Sequence, residues 1–193
     1  MSRALAVARA WGVPRTLLLA LLLAGSAQLA AASYVGLPAF AADIPALDLV
    51  PPAAALVLAS PLVDQTPDLT LRAGRPLWQV LTLRYAASHA AGAIVVAGLC
   101  LSGWTFHRSL AVVLFLAGSA LGTALLGGWF WVPMMGVSYA WLRSQQLTDV
   151  GAADVPIVAA AAASVLGGLV YVSVRAWVVR RPLRPGRCPR QPC

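Results

Sequence analysis

Residues 16–33 read TLLLALLLAGSAQLAAAS, eighteen uncharged positions directly after Arg15. Outward from it lie three more stretches without a formal charge, residues 85–105, 109–142 and 155–174. The hydrocarbon core of a bilayer is about 30 Å thick, and roughly 20 apolar residues in a helix cross it. In lipid every backbone N–H and C=O must be paired internally, which leaves the α-helix as the spanning form for runs of this length. The chain therefore reads as an all-α, polytopic transmembrane helical bundle.

Composition points the same way. Hydrophobic residues fill 60% of the 193 positions and charged residues 10%, against roughly a quarter charged in soluble domains. That leaves room for about four to six spans and short loops. The net charge of +8 comes from fourteen Arg and six Asp, with Lys, Glu and Asn absent. An Ala, Gly, Pro, Arg and Val-rich chain lacking those three types suggests a GC-rich, actinobacterial coding sequence. Without Lys there is no Walker A motif, and without Glu there is no His-Glu-x-x-His zinc site. Two His and three Cys, with no Cys-x-x-Cys pair, leave no basis for a metal or dithiol centre. The expectation is a non-enzyme without a cofactor, catalytic residue or metal.

The arginines set the topology. Arg175, Arg180, Arg181, Arg184, Arg187 and Arg190 follow the last apolar run, as a cytoplasmic anchor facing anionic headgroups would, and not as a nucleic-acid footprint. Two segments are ambiguous: residues 44–61 carry Pro45, Pro51, Pro52 and Pro61, and residues 129–142 are short for a span. Counting both gives six spans, and counting neither gives four. Six spans with the N-terminus inside leave only Arg108 and Arg143 outside, whereas four would expose Arg72, Arg75, Arg84 and Arg143. Positive charge in short loops favours the cytoplasm, so six spans are expected, at about 16–34, 44–61, 85–104, 109–126, 127–142 and 155–175, with both termini cytoplasmic. Residues 180–193, basic and Pro-rich, are expected to be a disordered tail. The alternative for the N-terminus is a signal peptide ending at Ala30-Ala31-Ala32-Ser33.

Within the spans, six Trp (Trp78, Trp104, Trp129, Trp131, Trp141 and Trp177) stand near predicted ends, as an aromatic belt would, and Pro133 is expected to kink the fifth span. Gly118 and Gly122 form a Gly-x-x-x-Gly pattern that permits close helix approach, within the chain or between copies. Asp48 is the one acid inside a predicted span. An intramembrane charge is costly and by default a functional candidate, here beside Pro51-Pro52, which open the backbone. The bland reading is that Asp48 reaches the outer headgroups. His89 lies one turn after Tyr85 and shares its helix face. It reads either as a relay group or as a hydrogen-bonded packing residue, and the six-span arrangement places it at a different depth from Asp48.

Arg75-Pro76-Leu77 leading into a span, Arg108 at the start of the next, and Gly127-Gly128-Trp129-Phe130-Trp131-Val132-Pro133 together resemble a group of small actinobacterial multi-span membrane proteins labelled ABC-transport-associated or permease-like. This resemblance covers about a third of the chain and implies association with a transport system whose ATPase is a separate chain. It transfers no substrate and no site residue. Two functions stay open: the membrane part of such a system, and a non-catalytic accessory or assembly protein of the cell envelope. The expected location is the bacterial cytoplasmic membrane. The expected partners are the lipid bilayer and either an ATPase subunit or further copies of the chain, with no nucleic acid.

Overall fold

Gly12 and Pro14 open the first helix. Gly12 takes the left-handed conformation (φ 70°) at its N-cap, and Pro14 falls in the first turn, where a missing N–H costs nothing. In this computed structural model residues 12–40, 42–63, 76–147 and 154–180 are described. The proposed tail beyond Arg180, and Arg3, Arg9, Arg72 and Arg75, lie outside them. Helix α1 (Val13–Leu29) leads into a two-stranded ribbon in which β1 (Tyr34–Val35) pairs antiparallel with β2 (Ile44–Pro45). Next come a 3-10 turn (Ala46–Leu49), α2 (Val50–Leu58) and a second 3-10 turn (Ser60–Leu62). The remainder is α3 (Leu77–Leu101), the short α4 (Phe106–Ser109), α5 (Ala111–Leu126), a 3-10 turn (Gly127–Phe130), α6 (Trp131–Leu147) and α7 (Ile157–Arg180).

The structure is predominantly helical. Three helical stretches are long and apolar enough to cross a membrane: Leu77–Leu101, Phe106–Gln146 and Ile157–Val178. The middle one is not a single rod. Its 41 residues would extend about 60 Å, twice the bilayer core. Gly127 breaks it with φ 60° and ψ −123°, a conformation that a Cβ disfavours. Beyond this point the chain doubles back. A Cβ on Gly122 would stand 3.2 Å from Phe130 Cβ, and one on Gly118 3.6 Å from Met134 Sδ, so α5 and α6 form an antiparallel hairpin.

Contacts fix the other directions. Thr16 meets Ser60 and Ser33 meets Ala46, so α1 and the segment Ala46–Leu62 run oppositely. Asp48 meets Arg108 and Ala55 meets Ser119, so that segment runs parallel to α5. His107 meets Val155 and Ala117 meets Gly167, which makes α7 parallel to α5 as well. Gly92 meets Leu116 and Cys100 meets Ser109, so α3 opposes α5. The chain thus passes back and forth between two ends. One end holds the ribbon, α4 and the start of α7. The other holds Ser60–Leu62, the start of α3, the Gly127–Phe130 turn and the end of α7.

Helix α2 is central. Val50, Pro51, Pro52, Ala54, Ala55 and Leu58 are all buried, leaving no polar face, as expected of a helix enclosed by others. Leu47, Val50, Ala54 and Leu58 pack with Ala20 and Ala27 of α1, with Val95 and Leu99 of α3, and with Val112 and Leu116 of α5. By contrast α6 turns only a narrow stripe inward, Met134, Ser138 and Leu142.

Several boundaries differ from the sequence expectation. The third segment begins at Leu77, not 85, because Pro76 serves as N-cap and Leu77, Val80 and Leu81 already pack inward. Arg84, expected in a loop, is therefore inside α3 and only 4% exposed. Residues 44–45 are strand, not helix. The fifth segment spans 131–147 and not 127–142, so Pro133 sits in the first turn of α6. No carbonyl bond is broken there, and Pro133 does not act as a mid-helix kink. Trp78, Trp129, Trp131 and Trp177 are exposed at one end of the bundle, whereas Trp104 and Trp141 are drawn inward at the other.

Candidate functional site

Asp48 sits on the 3-10 turn that joins β2 to α2, a turn that Pro45 enters and Pro51 leaves. The backbone there cannot take up an ordinary helical register until Pro51 and Pro52 have been placed in the first turn of α2. This geometry swings the carboxylate into the bundle, where it is 1% exposed. Arg108 comes from α4, whose N-cap Thr105 accepts a hydrogen bond from Arg108 N at 3.2 Å. Thr105 also donates to Asp154 Oδ1 at 3.1 Å, and Val155 N donates to the His107 carbonyl at 3.2 Å. The short helix is thereby tied to the start of α7.

The two charges meet directly. Arg108 Nη2 donates to Asp48 Oδ1 at 2.5 Å, with the arginine side chain 24% exposed. The same nitrogen lies 3.4 Å from Gln145 Oε1 of α6, and the guanidinium carbon stands 4.3 Å from the centre of the Trp104 ring, a cation–π distance. Trp141 Nε1 donates to the Asp48 carbonyl at 3.3 Å. Four parts of the chain therefore converge on one ion pair: the 3-10 turn, the α3–α4 connection, α4 and α6. Asp48 does not reach open solvent as the bland reading expected. A buried carboxylate is tolerated because a cation faces it at contact distance.

His89 lies elsewhere, on the α3–α7 contact. Its Nδ1 is 3.2 Å from the Tyr85 carbonyl, and the two rings are 4.1 Å apart. Tyr85 Oη donates to the Ser164 carbonyl at 2.5 Å. Tyr171, stacked 6.2 Å from Tyr85, donates to the Leu62 carbonyl at 2.9 Å. His89 is twelve residues from the end of α3, about 18 Å along the helix axis, and the ion pair lies at that far end. Asp48 and His89 are not brought together. Among the described residues no group of three His, Cys, Asp or Glu is placed to hold a metal ion.

Gly118 and Gly122 face α6 and the turn before it, which is contact within the chain. A closer approach is at Gly98, where an added Cβ would lie 2.6 Å from Ala24 Cβ and 2.8 Å from Ala24 Cα. There Gln28 Nε2 also donates to the Gly98 carbonyl at 2.7 Å. No Gly-x-x-x-Gly spacing marks Gly98. The partner of Asp48 was also not singled out from sequence, although an acid in one apolar segment and an arginine at the head of another are the signal for such a pair. Comparison of the chain with protein-family models, with curated proteins and with solved structures finds no match.

Proposed function

We propose that the protein is a multi-pass component of the bacterial cytoplasmic membrane, crossing it six times with both termini inside, and that it serves a transport system whose ATPase is a separate chain. The observation that carries this reading is the Asp48–Arg108 pair. Apolar residues of similar volume would hold the same helices together at equal or lower free energy, since desolvating two charges offsets much of their attraction. Charge inside an apolar bundle is characteristic of sites that respond to ions, substrates or partners. The pair also joins the second segment to the fourth and fifth at one face, where its opening would release three elements at once. Lengths are compatible with six crossings. Helices α1 and α6 have 17 residues each, about 26 Å, and Ala46–Leu62 gains length from the larger rise of its 3-10 turns.

A specific observation favours the second reading, a non-conducting accessory or assembly protein of the envelope. Three buried hydroxyls are consumed by backbone carbonyls: Ser119 donates across to Ala55, while Thr123 and Ser138 donate within their own helices to Ser119 and Met134. Hydroxyls bonded in this way do not line a path. One experiment separates the readings. Asp48→Asn is expressed in a deletion strain, its accumulation is measured by immunoblot, and membrane complexes are purified on the tagged chain. The transport reading expects normal accumulation, loss of rescue and copurification of an ATPase with the wild-type chain. Full rescue by Asp48→Asn, with no ATPase recovered, puts the accessory reading first.

A further inference from the structure

Helix α6 is the most loosely held element of the bundle. Along it only Met134, Ser138 and Leu142 are buried, and an apolar groove separates it from α5, bordered on its own side by residues from Pro133 to Ser144. That groove leaves α6 room to tilt. A turn suited to a pivot lies just before it. Gly127 takes φ 60° and ψ −123°, and at Gly128 an added Cβ would meet no atom within 4 Å. Phe130, next along, is buried against Gly122 and fixes the near end, so a tilt moves the far end most.

Besides the apolar contacts of Trp141 and Leu142, the far end touches the Asp48–Arg108 pair and the segment that leads to it. Trp141 Nε1 donates to the Asp48 carbonyl at 3.3 Å, and Gln145 Oε1 lies 3.4 Å from Arg108 Nη2. Gln146 Nε2 donates to the Ala42 carbonyl at 2.7 Å, and the Tyr139 and Phe40 ring centres are 5.4 Å apart. This seat is imperfect. Arg108 Nε and Gln145 Nε2 are buried with no hydrogen-bond partner among the described residues, and a buried donor left unmade costs at least as much as a made bond gains. Leaving the seat would break long hydrogen bonds and free two donors to find acceptors, so seated and tilted positions lie close in free energy. From Trp131 to Gln145 the helix runs about 21 Å, and a tilt of about 10° carries its end about 4 Å, enough to part these hydrogen bonds.

We infer that α6 is a hinged arm, pivoting at Gly127–Gly128, whose far end latches the Asp48–Arg108 pair: seated, it keeps the pair closed, and tilted, it uncovers it. As regulation of that pair the inference rests on the proposed function, but the movement is read as a distance, without rescue or an ATPase, so the two fail separately. The test uses the full-length chain with Cys100, Cys188 and Cys193 replaced by Ser, in phosphatidylglycerol–phosphatidylethanolamine vesicles. Nitroxide labels are placed on Leu29→Cys at the end of α1 and Arg143→Cys on α6, both exposed positions. Pulsed electron double resonance should resolve two distances at least about 3 Å apart. Trp141→Phe with Gln146→Leu removes two latch hydrogen bonds and should raise the tilted-to-seated ratio about tenfold. Gln146→Leu alone should raise it about threefold and serves if the double variant does not accumulate. A reference pair, Leu29→Cys with Ile157→Cys at the exposed start of α7, should keep one distance throughout. A second distance that appears only in the latch variants also supports the arm. A single Leu29–Arg143 distance that no latch variant changes overturns the inference. Equal broadening of both pairs overturns it as well, because the whole bundle would then be loosening.

Discussion

Asp48 and Arg108 depend on each other, and their variants should show it. Asp48→Ala leaves the guanidinium with only Gln145 Oε1 and the Trp104 ring beside it. Removing one partner of a fully buried pair typically costs about 3–5 kcal/mol, and the 24% exposure of Arg108 puts this variant at the low end or below. Arg108→Ala strands a carboxylate that is 1% exposed and should cost as much or more. The double variant Asp48→Leu/Arg108→Leu should lose far less than the sum, because two charges leave together. Thermal unfolding in a mild detergent, followed by size-exclusion monodispersity, measures all three. Additive losses would mean that the pair contributes nothing beyond its separate side chains. The sequence exposed half of this arrangement. Asp48 stood out because acids are rare in apolar segments, while Arg108 looked like an ordinary loop arginine. Which loop arginine folds over which acid depends on the short α4 and on Trp104, and neither has a periodic signature.

The same limit operates where helices touch. Gly118 and Gly122 were legible as a spacing pattern, yet the structure gives them unequal room: ordinary contact distance at Gly118 and 3.2 Å at Gly122. Gly118→Ala should therefore be neutral in thermal stability, Gly122→Ala mildly destabilising, and Gly122→Leu strongly so, because Phe130 backbone lies 3.6 Å away and cannot yield. Gly98→Ala should be worse than either alanine variant, since the clash is with the Cα of Ala24. Overpacking of this kind costs about 1–3 kcal/mol. Combining it with Ala24→Gly should recover part of the loss. Equal melting temperatures for Gly98→Ala and Gly118→Ala would place the tight contact elsewhere. The glycine that comes nearest to facing backbone, Gly98, escaped sequence reading because close packing is a property of two facing helices. A motif within one helix records only half of it.

For the molecule as a whole, helical class and the apolar segments were readable because backbone pairing in lipid leaves so few options. Segment ends were less readable. The start of α3 moved eight residues earlier once Pro76 acted as its cap, and the fifth segment moved four residues later once Gly127–Phe130 formed the turn. The back-and-forth path among the described residues places Ser60 and Gly128 at one end and His107 at the other. Four-span and six-span topologies assign these positions to opposite sides of the membrane. With Cys100, Cys188 and Cys193 replaced by Ser, single cysteines at Ser60, Gly128 and His107 can be probed in intact cells with a membrane-impermeant thiol reagent. Ser60 is exposed, an added Cβ at Gly128 meets no atom within 4 Å, and His107 is exposed, so access is decided by the membrane and not by packing. Six crossings with the arginine-rich end inside predict labelling at His107 only, and labelling at Ser60 and Gly128 only after permeabilisation. The inverse pattern, Ser60 and Gly128 labelled in intact cells with His107 protected, would exclude six crossings with both termini inside. The Asp48–Arg108 pair would then have to be explained at a different membrane face.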